Sequence, residues 1–283
     1  TLRLANEGYT STEIAEMLRL PKSLDKEFYN RGYYGSLSHN AKAQYQLYFG
    51  WFDGNPSNLN PLPPSEAGAK YVEMMGGANE VISKSKTYYD KGDYRWVAEV
   101  LKHVVFSDPK NQKARNLLAD AYEQLGYASE SGPWRNFYLT GAQELRNGVK
   151  KFAIGGTSSI DMIKGMSSEL FFNYLAMRYK GMDENTNKYN FNFQLTDTKE
   201  KVALLLSNGT VSTRIGTHLT TNVTASITIS RMDLAMLTTP ASKVTFDDLI
   251  KNGRLKVTGD EAAFKQFLSN IENFDFWFNI VTP

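Results

Sequence analysis

Few side chains in this sequence are equipped for chemistry: it has three histidines and no cysteine. One histidine lies in a dense run, Tyr33-Tyr34-Gly35-Ser36-Leu37-Ser38-His39-Asn40, followed by Tyr48-Phe49-Gly50-Trp51-Phe52-Asp53-Gly54-Asn55-Pro56. An imidazole placed among tyrosines and a tight glycine turn can donate to an anionic group without any metal bond. The opposing structural reading makes His39 a first-turn helix residue, capped by Ser38, with its ring against Tyr34. Tyr34, Asn40, Trp51 and Phe52 are the neighbours expected around it. The Trp51-Phe52 pair would supply an apolar wall.

The other candidates read as structural. His103 sits between apolar helical positions, and His218 lies in a threonine-rich turn where solvation is expected. Asp53, Asp90, Asp93 and Asp108 each adjoin a glycine or proline and read as turn or cap residues. No H-x-H, H-x-x-x-H or H-x-D-H spacing occurs, so an ordinary His/Cys zinc site is not expected from this sequence alone. Asn208-Gly-Thr and Asn222-Val-Thr match a glycosylation pattern of low specificity.

These residues must be positioned by the elements around them. Thr10-Ser11-Thr12-Glu13 forms a capping-box pattern ahead of a short helix with Ile14, Met17 and Leu18 on one face. A second helix is expected to start just after His39 and run to Tyr48. It cannot pass Asn55 to Pro64, where Pro56, Pro61, Pro63 and Pro64 remove donors and fix φ. Helical periodicity then predicts segments at 65–75, 78–91, 93–107, 110–125 and 131–147, the last with Ser131 as cap and Pro133 in its first turn. The stretch from Tyr88 to Tyr127 has the look of a tetratricopeptide-like hairpin, which needs neighbours to cover its apolar face. Trp134 and Tyr138 share one side of the last helix and are candidates for a dimer interface.

From about Gly155 the texture becomes α+β. A helix over 167–178 precedes alternating runs Tyr189–Leu195, Lys201–Ser207 and Thr210–Ile215, with Asn208-Gly209 as a hairpin turn. A strand at 225–230, helices at 231–237 and 246–251, a strand at 255–257 and a helix at 261–271 complete the pattern. Phe171, Phe172, Leu175, Leu204, Leu206, Phe264 and Phe267 would line either a dry core or an apolar ligand space. Periodicity does not separate those two.

Composition is globular, with 41% hydrophobic and 22% charged residues over 283 positions. The formal net charge of +2 comes from interleaved acids and bases, which predicts no nucleic-acid surface. No run approaches the roughly 18 apolar residues of a transmembrane segment. The start at Thr1, without methionine or an apolar leader, reads as a processing boundary rather than a natural beginning.

The two runs around His39 combine with Glu130-Ser131-Gly132-Pro133-Trp134-Arg135-Asn136-Phe137-Tyr138-Leu139 and Asp275-Phe276-Trp277-Phe278-Asn279-Ile280-Val281-Thr282-Pro283. Together they resemble the bacterial alkylsulfatases, zinc hydrolases of the metallo-β-lactamase superfamily. The resemblance covers essentially the whole chain. It implies the C-terminal part of such an enzyme: the end of a catalytic domain over 1–55, a helical dimerisation domain over 56–152, and a sterol-carrier-protein-like domain with an antiparallel sheet over 153–283. It further implies hydrolysis of alkyl sulfate esters by a periplasmic or secreted homodimer. Two zinc ions per subunit would be held by residues outside this segment. On the same resemblance His39 becomes a donor to sulfate oxygens, with Tyr34, Asn40, Trp51 and Phe52 around it. The competing expectation is a lipid-binding or scaffolding protein without catalysis.

Overall fold

In the computed structural model, residues 1–152, 160–181, 188–239 and 242–283 are described. They divide into two units, Thr1–Lys151 with Trp277–Pro283, and Phe152–Phe276. The tail 277–283, assigned above to the domain it follows, packs instead with the helical unit. Residues 1–55 share that unit with the helices after them.

The helical unit opens with α1 (Leu2–Asn6), α2 (Ser11–Met17), α3 (Lys22–Asp25) and α4 (Leu37–Phe49). The capping box forms as the sequence predicts. Thr10 Oγ1 accepts the Glu13 N–H, and the Thr10 N–H donates to Glu13 Oε2 at 2.8 Å. Leu4, Ile14, Ala15 and Ala41 make a small core of their own. Helix α4 starts two residues before His39, not after it, because Ser36 rather than Ser38 is the cap, accepting the His39 N–H at 3.1 Å. His39 is thereby the third residue of the first turn.

Beyond the proline-rich loop come α5 (Pro64–Met74), α6 (Ala78–Asp90), α7 (Tyr94–Ser107), α8 (Gln112–Ala128) and α9 (Gly132–Asn147). Short loops from α6 to α9 make successive helices antiparallel neighbours. Val97, Leu101, Val104 and Val105 of α7 bury their stripe against Leu117, Leu118 and Ala121 of α8 and Ala142 and Leu145 of α9. Helix α5 crosses α7 at Gly68, where a Cβ would stand 2.8 Å from the His103 carbonyl oxygen. Only glycine permits that approach.

The second unit is α+β. It contains α10 (Ile160–Gly165), α11 (Ser168–Arg178), β1 (Tyr189–Leu195), β2 (Lys201–Ser207), β3 (Thr210–Ile215), β4 (Ala225–Ile229), α12 (Arg231–Leu237), α13 (Phe246–Lys251), β5 (Leu255–Gly259) and α14 (Glu261–Ser269). Strand order is β3-β2-β1-β4-β5. Asn208 and Gly209 both take positive φ, 53° and 70°, as a two-residue hairpin turn requires. The sheet is mixed rather than antiparallel throughout. Three pairings are antiparallel, but β4 lies parallel to β1, with Phe191 opposite Ala225 and Phe193 opposite Ile227. After two hairpins the chain must cross back to reach the free edge of β1, and it arrives running the same way as β1. Asn192 holds that crossing, accepting the Leu219 N–H at 2.8 Å and donating to the Leu219 carbonyl at 2.9 Å.

Alternate residues of the three central strands, Phe191, Phe193 and Leu195, then Val202, Leu204 and Leu206, then Ala225, Ile227 and Ile229, are all buried. They meet Phe171, Phe172 and Leu175 of α11 and Phe264 and Phe267 of α14 in one cluster. Aromatic centroids stand 5.2 Å apart for Phe172 and Phe193 and 5.6 Å for Phe191 and Phe264. Rings at that spacing are in contact, so these residues close on one another as a packed core.

Candidate functional site

His39 is presented at the surface by the first turn of α4, against the start of α9. The indole Nε1–H of Trp134 donates to His39 Nδ1 at 3.1 Å, and the rings meet edge-on with centroids 6.2 Å apart. The ring partner is therefore Trp134, not Tyr34. Lys42, one turn along α4, places its ammonium 5.7 Å from the Trp134 ring centroid, within cation–π range.

Three further bonds fasten the 31–39 segment to α9. The Ser131 hydroxyl donates to the Tyr34 carbonyl at 2.6 Å, the Gly132 N–H donates to the Tyr33 carbonyl at 2.7 Å, and Arg31 pairs with Glu130 at 2.5 Å. Ser131 also caps α9, as its place before Pro133 predicts. One buried serine thus starts one element and holds another.

The other expected neighbours are placed differently. Asn40 folds over the Gly35 turn, where an added Cβ would meet its amide at 3.5 Å. Trp51 and Phe52 pack on each other at 5.5 Å between centroids. Among the described residues no hydrogen bond or ring contact joins that pair to His39. Tyr34 turns outward, 83% exposed, and lines a groove of about 440 Å³ together with Pro133, Phe137, Gly141, Ile280 and Val281. Tyr138, half-buried, packs on Tyr122 at 5.9 Å, whereas Phe137 beside it is 75% exposed.

His103 is structural, as expected. Its ring lies 4.4 Å from that of Tyr71, and burial, with Lys102 adding to it, holds its pKa below the ordinary value. His218 is not simply solvated: its Nε2 lies 2.8 Å from the Phe193 carbonyl oxygen, which ties the crossing loop to β1. Asp53 is a turn residue. Its carboxylate accepts from the Asn55 N–H at 3.0 Å and from Asn58 Nδ2 at 2.6 Å, and those bonds keep its pKa low. Lys42 was discoverable from helical spacing, three residues after His39. The pairing of Arg31 with Glu130 carries no local sequence signal.

Two family models cover nearly all of this chain, alkyl sulfatase dimerisation over residues 10–148 and alkyl sulfatase C-terminal over residues 156–283. A linear primary-alkylsulfatase of Pseudomonas sp is 53% identical over the full chain. The chain belongs to the alkylsulfatase family. The alkyl/aryl-sulfatase BDS1 of Saccharomyces cerevisiae is 42% identical, again over the full chain. The solved stereoselective inverting sec-alkylsulfatase Pisa1 from Pseudomonas sp. superposes with a TM-score of 0.93 at 41% identity over 100% of this chain. The chain spans 42% of the Pseudomonas primary-alkylsulfatase, 43% of the yeast protein and 44% of the solved structure. It is thus less than half the length of these relatives.

Among the described residues no group of three or more His, Cys, Asp or Glu is arranged to hold a metal ion. Zinc therefore has no fitting ligand set among them. No helix among them is long and apolar enough to cross a membrane.

Proposed function

We propose that this alkylsulfatase-family chain works within a longer sulfuric ester hydrolase that cleaves alkyl sulfates to the alcohol and inorganic sulfate. The observation that carries this reading is the 53% identity to a linear primary-alkylsulfatase across the whole chain. His39 is the sulfate contact, a polar donor exposed at a helix start. Tyr34, five positions before it, and Asn40, next to it in sequence, are further candidates for the same contact, and Trp51 with Phe52 forms an apolar surface suited to an alkyl chain. Two zinc ions per subunit belong to residues outside this segment, where a metal-bound water would be the nucleophile. The helical unit mediates a homodimer, in keeping with the dimerisation model that it matches.

The lipid-binding alternative has less support. The seven residues that would line a ligand space between sheet and helices are each at most 1% exposed and packed on one another. The decisive experiment is sulfate release from dodecyl sulfate by the longer protein that carries this chain. Hydrolysis that falls at least tenfold in His39→Ala is expected, and absence of hydrolysis with any alkyl sulfate would discard the enzymatic reading. Elemental analysis of the 283-residue chain after dialysis should find no stoichiometric zinc. Two equivalents would place the metal site here.

A further inference from the structure

We infer that Trp134 is a positioning residue for His39. An indole N–H can only donate, so the nitrogen that receives it must carry a lone pair. With Trp134 Nε1 3.1 Å from His39 Nδ1, the ring is held with Nδ1 as acceptor and its proton on Nε2. A proton on Nδ1 would set two donors against each other at hydrogen-bond distance, which costs the bond and leaves the indole N–H without this partner. The bond also fixes the ring's orientation, as a fixed partner on one imidazole nitrogen does in metal and catalytic sites.

Trp134 is itself well anchored for this task. It lies in the first turn of α9, where Ser131 Oγ accepts its backbone N–H at 3.5 Å and donates to the Tyr34 carbonyl at 2.6 Å. The same contacts that fasten 33–34 to α9 therefore set the distance between the two rings. Trp134 thus acts inside its own subunit, beyond the interface role that its aromatic character suggests. His39 is delivered as an Nε2–H donor, the form that can bond a sulfate oxygen without competing for a proton. The donor role rests on the reading of His39 as the sulfate contact, whereas the tautomer does not.

The full 283-residue chain, labelled with ¹⁵N in histidine rings and tryptophan indoles, separates the two. At mildly alkaline pH, His39, identified by its loss in His39→Gln, should show Nδ1 as an unprotonated ring nitrogen and Nε2 as a protonated one. In Trp134→Phe both resonances should move towards the averaged values of a tautomer mixture, with those of His103 and His218 unmoved as evidence of folding. His39 resonances identical in the two proteins would overturn the proposal. Should the Trp134 variant not fold, His39→Ala gives the reciprocal readout: the Trp134 indole N–H should shift upfield and exchange faster with solvent, and an unmoved signal rejects the bond. Titration with inorganic sulfate should perturb His39 Nε2 in the unmodified chain and do so several-fold more weakly in Trp134→Phe. If sulfate leaves His39 untouched while the tautomer depends on Trp134, the positioning stands and the sulfate role of His39 falls.

Discussion

Glu144 holds Val281. Its Oε1 accepts the Val281 N–H at 3.0 Å and the neighbouring Ile280 N–H at 2.9 Å, and the carboxylate is itself buried. The tail therefore lies across α9 as a strap, with Val281, partly buried, packed against the helical core. Glu144→Ala should strand both amides and cost about 1–3 kcal/mol. Hydrogen exchange at Ile280 and Val281 should accelerate in this variant and much less in Glu144→Gln, which keeps an acceptor. Equal exchange in all three proteins would rule the latch out.

Gly68 sets the crossing of α5 and α7. Alanine there gains about 1 kcal/mol of helix propensity, but its Cβ would meet the His103 carbonyl oxygen at 2.8 Å. That obstacle is backbone and cannot rotate away, so overpacking of about 1–3 kcal/mol wins. Gly68→Ala is expected to lower the urea midpoint, and a raised midpoint would mean the helices part without cost.

Glu200 carries an acid-dependent part of the stability of the sheet unit. The Ser168 hydroxyl donates to its carboxylate, and this bond, followed by one with Thr198, holds its pKa below the ordinary value. A depressed folded-state pKa contributes stability that is complete above the unfolded value, near ~4.3, and is lost as pH falls through the folded value. The deficit of Ser168→Ala in urea unfolding should thus be largest near neutrality and shrink below about pH 4. A deficit independent of pH would remove Glu200 from this role.

The exposed aromatic on α9 is Phe137, which lines the same groove as Tyr34, whereas Trp134 and Tyr138 already have partners in their own unit. Sedimentation should show Phe137→Ala with Tyr34→Ala shifted towards monomer at micromolar concentration, since exposed aromatics in a groove are characteristic anchors. A dimer unchanged by both substitutions would move the interface to another face.

Sequence by itself determined what closes within a few residues. The Thr10–Glu13 capping box, the Ser131 cap before Pro133 and the Asn208-Gly209 hairpin form where their residues predict, because each depends on bonds spanning two to four positions. Helical and strand periods likewise announced the buried stripes of α7 and β1, since one face must leave water. The family resemblance rested on whole motifs and reached further than any single residue could. Tertiary structure alone decided which serine caps α4, because Ser36 and Ser38 are chemically alike and packing of the 33–36 turn on Ser131 and Gly132 selects the register. It alone laid β4 parallel to β1, as alternation records a strand's faces and not its direction. It alone joined His39 to Trp134, 95 positions apart, and Arg31 to Glu130, 99 apart. Such pairs form only after independent elements have packed, so the geometry of the candidate site belongs to the folded chain.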